Sequence, residues 1–293
     1  MPTVAKLIEA VCEQFEAGGL TFGHGTDNPW DEAVALVVSV TGCADDRSSL
    51  QTQVSAEHVS RCLDLAALRV TDRQPLAYLL GTCHYMGLQF NVRPGVVVPR
   101  SPIGYLLQDG LSAWLPDRVG RVLDLCTGSG CLGILAAHIF PDAHVTLVDI
   151  DPAAIQLAEE NIAQYELAQR VDIVRADVTG PLALPESFDL VLCNPPYVDA
   201  ADMQSLPAEF AAEPVHGLAA GEQGLDVIEA VLAQLGTLLS SDGLFIGEVG
   251  ASARHLIRRH PVLPLIWPDL PLGGEGVFVL EATALTSHTA PRS

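Results

Sequence analysis

A chain of 293 residues, 49% hydrophobic and 17% charged, is long enough for one large domain and one smaller one, each with a packed core. Its apolar runs, such as Val34 to Val38, fall far short of the roughly 18–20 residues that cross a bilayer, so no membrane partner is expected. With 36 acidic against 15 basic residues the net charge is −21; such a surface repels phosphate backbones, argues against free DNA as a partner and draws in a basic protein instead.

Residues 1–80 read as a helical domain. Val4 to Ala17 carries Val4, Leu7, Ile8, Val11, Cys12 and Phe15 near the i, i+3, i+4, i+7 spacing of one helix face, and Gly18-Gly19 stops it. A loop rich in Gly, His, Asp and Asn leads to Pro29, which starts a second helix to about Val40; Ser55 caps a third that runs to about Val70. Next, Pro75, Gly81, Gly87 and Pro94-Gly95 punctuate the short runs Leu88–Val92 and Val96–Val98, which predicts a β-hairpin linking two domains over 81–99. From 100 to 284 strand and helix patterns alternate. Strands are expected at 121–125, 144–149, 171–175, 188–193, 243–249 and 276–281, with helices at 102–114, 130–139, 152–166 and 223–239. This alternation predicts an α/β fold with a mostly parallel sheet covered on both faces. Residues 285–293 read as a flexible tail. Lys6 and Glu9 near the N-terminus, with no apolar core or small-residue cleavage site, do not resemble an export signal, so a cytoplasmic location is expected. The seven cysteines (Cys12, Cys43, Cys62, Cys83, Cys126, Cys131, Cys193) are odd in number, scattered and never spaced Cys-x-x-Cys, as fits reduced thiols rather than a disulfide frame or a metal site.

The strand Val122–Cys126 runs into the turn Thr127-Gly128-Ser129-Gly130, where glycines let the backbone turn tightly and approach a ligand closely. The next strand ends in Val148-Asp149-Ile150; Asp149 lies nineteen residues past Gly130, where an acid accepts hydrogen bonds from both hydroxyls of a ribose. Asp151 and Pro152 follow as a helix cap and first helical residue. Gly128, Gly130 and Gly133 match Gly-x-Gly-x-x-Gly loosely, which keeps a nicotinamide or flavin cofactor in view. Against it stands Asp124, an acid before the turn that can orient the loop or meet an amino group. Asp-x-x-x-Gly-x-Gly resembles motif I of the class I S-adenosylmethionine-dependent methyltransferases. That resemblance implies that Asp124, Cys126, Thr127, Gly128, Ser129 and Gly130 hold the cofactor, together with Asp149, Ile150, Asp177, Val178 and Asn194, and that Asp177 faces the adenine amine.

A fourth apolar strand, Asp189–Cys193, ends in Asn194-Pro195-Pro196-Tyr197. An Asn, a rigid Pro pair and an aromatic ring at a strand's carboxyl end can seize a planar group bearing an NH2. The Asn194 side-chain oxygen and the Pro195 carbonyl each accept one N–H, leaving the lone pair aimed at an electrophile while Tyr197 covers the plane. These residues are therefore expected to bind substrate, with Asn194, Pro195 and Tyr197 carrying the chemistry, on an adenine or a carboxamide.

Over most of its length the chain resembles the N(5)-glutamine methyltransferases, of which one branch modifies peptide release factors and another a glutamine of large ribosomal subunit protein three. Val98-Pro99-Arg100-Ser101-Pro102-Ile103-Gly104 looks like the signature of the second branch, where the first typically has Pro-Arg-Pro-Glu-Thr-Glu. Gly23-His24-Gly25-Thr26-Asp27-Asn28-Pro29-Trp30-Asp31-Glu32-Ala33, Glu213-Pro214, Leu218–Gly221 and Gly273–Phe278 follow the same pattern. Tyr105 departs from it, since an acid commonly follows the Pro-Ile-Gly, and no role is assigned to it. The resemblance implies a Rossmann-like sheet whose last strand is antiparallel, S-adenosylmethionine as methyl donor, a helical domain that recognises the protein substrate, and transfer to a glutamine side-chain nitrogen of a basic ribosomal protein, free or early in assembly. Release factors are the alternative substrate. A DNA adenine-N6 methyltransferase shares Asn-Pro-Pro-Tyr but needs a basic recognition region that the sequence lacks; a non-catalytic chaperone of a ribosomal protein would not need the full constellation. Of the remaining residues, His24 and His84 lack partners at metal spacing, Trp30 and Trp114 are expected to close cores, and Arg254, Arg258 and Arg259 with His255 and His260 form a basic cluster read as a solvated helix face.

Overall fold

The computed structural model describes residues 1–109, 111, 114–115, 118–184, 187–270 and 274–289. The N-terminal unit packs α1 (Val4–Gly18), α2 (Pro29–Thr41) and α3 (Ala56–Asp72) around a core to which α1 gives Val4, Leu7, Ile8, Val11, Cys12 and Phe15. Each helix starts at a side-chain cap, Thr3, Asn28 or Ser55, that accepts a backbone N–H of the first turn. A short α4 (Leu76–Leu80) follows. Trp30 does not close this core: it sits 46% exposed on a shallow groove with Ile8, Val34 and Val38, because the buried face of α2 is the one carrying Ala33, Leu36 and Val37. Trp114 packs partly buried against the larger core.

The hairpin pairs β1 (Thr82–Tyr85) with β2 (Leu88–Asn91) around a Met86-Gly87 turn in which both residues have positive φ, 50° and 79°. Val96–Val98 was expected to belong to it; this run instead forms an irregular segment whose buried Val96 and Val98 face other elements. Next come α5 (Ile103–Asp109), β3 (Arg121–Leu125), α6 (Cys131–Ile139), β4 (His144–Asp149), α7 (Pro152–Gln164), β5 (Val171–Arg175) and β6 (Phe188–Cys193). The helix expected over 102–114 ends at Asp109; residues 110, 112 and 113 lie outside the described ones. After β6 the chain makes the short helices α8 (Ala200–Met203) and α9 (Ala208–Ala211), then α10 (Asp226–Leu232), α11 (Leu235–Leu238), β7 (Leu239–Glu248), α12 (Ala253–Arg259), β8 (Val277–Glu281) and α13 (Ala282–Thr289). The single helix expected over 223–239 is divided at Gln234, whose amide bonds the Val178 carbonyl and the Leu182 N–H. α13 also occupies residues 285–289 of the expected tail; 290–293 and Gly273 are not among the described residues.

Six strands form one sheet in the order β5-β4-β3-β6-β7-β8, parallel except for β8, which runs antiparallel to β7. Two apolar clusters cover its faces, one including Val122, Leu190 and Leu192, the other Leu123, Leu125, Val191 and Cys193. The strand order reverses between β3 and β6, so the crevice for a ligand opens beyond Leu125 and Cys193, at the carboxyl edge.

Candidate active site

A cavity of about 660 Å³ occupies that edge. Its wall brings together Cys126–Ser129, Asp149, Ile150, Asp177 and Val178 with Asn194–Tyr197, residues singled out in the sequence, and adds Val96–Ser101, Phe210 and His216. Asp124 and Gly130 lie behind the wall.

The loop after β3 is shaped by three left-handed residues, Cys126 (φ 57°), Gly128 (57°) and Gly130 (83°). For Cys126 this costs about 1 kcal/mol and breaks the alternation of the strand, so that Cys126 joins Leu125 and Cys193 on one face. Gly128 donates its N–H to Asp149 Oδ2 at 2.9 Å, and Asp151 donates to Asp149 Oδ1 at 3.0 Å. Asp149 thus braces the glycine turn while standing on the cavity wall; burial raises its carboxyl above the usual range. Asp124 is fully buried, and its Oδ2 accepts from the Thr127 hydroxyl and from Gly133 N–H at 2.9 Å. Its role is to orient the loop. Its Oδ1 has no partner among the described residues, and burial outweighs those two bonds to push its carboxyl up to about 7. Gly133 is a packing residue: a Cβ there would lie 2.1 Å from Leu147 Cδ2. Asp177 is exposed and accepts from the N–H and hydroxyl of Thr179, which lower its pKa.

Asn194 follows Cys193, the residue paired with Leu125 across the crevice. Asn194 lines the cavity, and its Oδ1 is buried with no hydrogen-bond partner among the described residues. A buried amide oxygen left so costs about 1–3 kcal/mol. The corner around it is tightly held. Val198 N–H donates to Leu218 O at 2.8 Å and Ala220 N–H to Val198 O at 3.0 Å, which explains the Leu218–Gly221 run. Ser252 Oγ donates to the Tyr197 carbonyl at 2.8 Å. The Tyr197 ring lies on the backbone of Gly250, where a Cβ would come within 2.6 Å of Cε2; Gly276 packs as closely on Gly250. Tyr197 donates its hydroxyl hydrogen to Glu248 Oε1 at 2.8 Å.

At the far wall, Arg100 makes a two-pronged ion pair with Glu213, 2.6 Å on each side, and Val98 N–H donates to the same carboxylate at 2.9 Å. Burial opposes ionisation of Glu213, but the neighbouring His24 ring and the hydrogen bonds and charge of Arg100 prevail and hold it at about 2. His24 Nε2 lies 3.5 Å from Glu213 and its ring stacks on Phe210 at 4.4 Å. Glu209 meets Thr21 N–H at 3.0 Å and Arg73 at 3.1 Å. The segment after Tyr197 therefore carries the cavity wall and is clamped to the helical unit. Of the basic cluster, Arg254 and His255 approach Asp199 (3.8 and 3.9 Å), and Arg259 pairs with Glu229 at 3.0 Å. Among the described residues no group of three His, Cys, Asp or Glu could hold a metal ion.

Sequence reading passed over Phe210, His216 and Glu248. Glu248 had a usable signal: it is another acid at the carboxyl end of a strand on the ligand-binding edge.

The family model described as the methyltransferase small domain matches residues 107–238. The chain is 39% identical over 292 residues to a ribosomal protein uL3 glutamine methyltransferase of Bordetella pertussis, covering 98% of this chain and 97% of that one. It is 40% identical over 291 residues to the protein of the same name from Xanthomonas campestris, covering 98% and 94%. Among solved structures, the hMettl16 catalytic domain in complex with a 3'UTR hairpin superposes with a TM-score of 0.51 at 16% identity, covering 79% of this chain and 84% of that one, a likeness of fold. On these relatives, nearly full-length in both directions, the chain belongs to the family of ribosomal protein uL3 glutamine methyltransferases.

Proposed function

We propose that the protein transfers a methyl group from S-adenosylmethionine to the side-chain amide nitrogen of a glutamine in ribosomal protein uL3. The observation that carries this reading is Asn194 on the crevice wall with a buried side-chain oxygen, Oδ1, that meets no donor among the described residues. A primary amide offers the N–H it lacks. The names of the relatives supply the substrate.

The residues fit the donor. Gly128, free of a Cβ at φ 57°, lets backbone come close to it; Asp149 can take a ribose and Ile150, 53% exposed, can pack on a flat base. Thr127, Ser129, Asp177 and Val178 complete that half of the wall, with Asp124 holding the loop from behind. When bound, S-adenosylmethionine supplies an electrophilic methyl group on a positively charged sulfur. Asn194 Oδ1 and the Pro195 carbonyl each accept one N–H of the glutamine amide, which fixes its plane and aims the nitrogen lone pair into the crevice. Tyr197 covers that plane and Pro196 stiffens the corner. Alignment is what the site provides. The nitrogen sheds a proton readily once alkylated, so a His or Lys base is not required of the site.

The acidic surface, with a net charge of −21, supports capture of uL3 as a free basic protein in the cytoplasm, before ribosomal RNA competes for its charge. The test is to incubate the enzyme separately with purified uL3 and a release factor and map the methyl by mass spectrometry. Methylation of uL3 at one glutamine is expected; methylation of the release factor alone would overturn the choice of substrate. Asn194→Ala should abolish turnover and leave cofactor affinity within a few-fold, and an active variant would remove the role given to Asn194.

A further inference from the structure

Glu248 is 4% exposed and takes no part in the reaction described above. It ends β7, one residue past the Cys193–Gly247 pairing with β6, and so stands level with Asn194 at the same sheet edge. Its two oxygens each take a hydrogen from a hydroxyl: Oε1 from Tyr197 at 2.8 Å and Oε2 from Ser101 at 2.5 Å. Arg100, whose charge acts on it, commits its guanidinium to Glu213, and among the described residues Glu248 has no ion pair of its own. A buried carboxylate without a paired cation costs stability, and a glutamine or an apolar residue of similar size would cost less. An acid in such a place beside a site marks a functional role.

Three contacts define what that role is. The Tyr197 ring already rests on Gly250, so the backbone blocks it from one side. The carboxylate anchors its far end. Ser101 joins the anchor to the linker, where its carbonyl accepts the Tyr85 hydroxyl at 2.6 Å. Both hydroxyls donate to Glu248, and Tyr197 itself lines the cavity. We propose that Glu248, with Ser101 behind it, is the positioning residue for Tyr197, tethering the ring over the amide-binding corner. The inference rests on the reading of Asn194–Tyr197 as that corner.

The experiment labels the protein with 3-fluorotyrosine. Its five tyrosines give separate fluorine resonances, and Tyr197→Phe assigns the one of interest. In Glu248→Ala the Tyr197 resonance should shift and broaden, while kcat on uL3 falls roughly tenfold and cofactor KM stays within about twofold. Tyr197→Phe should lose a similar factor in kcat, and the double variant should be no slower than the slower single one, because both remove the same tether. Glu248→Gln keeps the shape and serves if the alanine variant does not fold: its Tyr197 line should move but stay narrow, with kcat between wild type and Tyr197→Phe. An unchanged Tyr197 resonance in both Glu248 variants, multiplicative losses in the double variant, or a loss confined to cofactor KM would overturn the tether. A wild-type enzyme that methylates no glutamine would defeat the proposed function, and the fluorine spectra would still decide the tether.

Discussion

Gly224→Ala probes whether close backbone packing holds the corner proposed to bind the amide. Gly224 sits at φ 69°, and a Cβ there would meet the Tyr197 carbonyl oxygen at 2.1 Å and the Ser252 hydroxyl oxygen at 2.2 Å. Tolerable contact begins above 3.0 Å, so one of the two segments must withdraw by about 1 Å. The left-handed backbone costs alanine about 1–2 kcal/mol. Loss of the Ser252-to-Tyr197 hydrogen bond adds about 1 kcal/mol, for a total of roughly 2–3 kcal/mol of unfolding free energy. The same displacement moves Tyr197 relative to Asn194, and at a reacting centre a shift of that size costs on the order of a hundredfold in kcat. Gly236→Ala is the matched control: it lies in α11 with open space around the new Cβ, and should gain about 0.5–1 kcal/mol with no kinetic effect. Urea melts give the first quantity and tritium transfer from labelled cofactor the second. If Gly224→Ala melts and turns over like Gly236→Ala, the corner is not held by this contact and the reasoning is wrong.

Asp124 titrates at about 7 in the fold, against 3.8 for an ordinary aspartate, because burial disfavours its charge. The folded state therefore binds the proton more tightly, and the stability this lends is complete below pH 3.8 and lost as the pH rises through about 7. Without cofactor, Asp124→Asn should gain on wild type by roughly 1.4 kcal/mol per pH unit between about pH 5 and 7; urea melts that keep a constant offset across that range would contradict this. Glu213 has the opposite sign, since its carboxyl is held at about 2 against 4.5: its contribution is present above pH 4.5 and disappears as the pH falls toward 2. Glu213→Gln should lower stability at neutral pH by roughly 3 kcal/mol and flatten the acid limb of thermal midpoint against pH. Glu166→Gly should stabilise by about 0.5–1 kcal/mol in the same melts, because an exposed glutamate occupies a left-handed position, φ 55°, that glycine adopts without strain.

The strands of the parallel sheet were legible because each is a short apolar run between polar or glycine punctuation, and four of them match the expected ranges residue for residue. The hairpin was read less well. Met86 takes φ 50° without the Asn or Asp that usually announces such a turn, while the apolar run Val96–Val98 looked like a strand although its valines line the cavity. Hydrophobicity reports burial and not the partner. Trp30 fails for a related reason: an amphipathic pattern tells which face of α2 is buried, and a large ring on the other face is free to lie in the open. The division of 223–239 falls at Gln234, whose side chain reaches a loop more than fifty residues away, a contact that no local pattern records.

The corner proposed to bind the amide is written in four consecutive residues, but what holds it comes from four distant stretches of chain. Ser252, Gly250 and Glu248 arrive from β7 and the turn after it, Leu218 and Ala220 from the segment after α9, Ser101 from the approach to α5, and Gly276 from the entry to β8. Apart from the backbone bonds to Leu218 and Ala220, each contact demands a residue with little or no side chain, a hydroxyl, or a lone buried acid, types whose local readings are turn, surface or cap. The fold alone reveals that Gly276 presses on Gly250, Gly250 on Tyr197, and Tyr197 on Glu248. Such a stack has no slack, since every member is at contact distance. Enlarging any of the glycines should therefore act on Tyr197, and the effect of Gly276→Ala on turnover should resemble that of Gly224→Ala, although the two positions lie 52 residues apart in sequence.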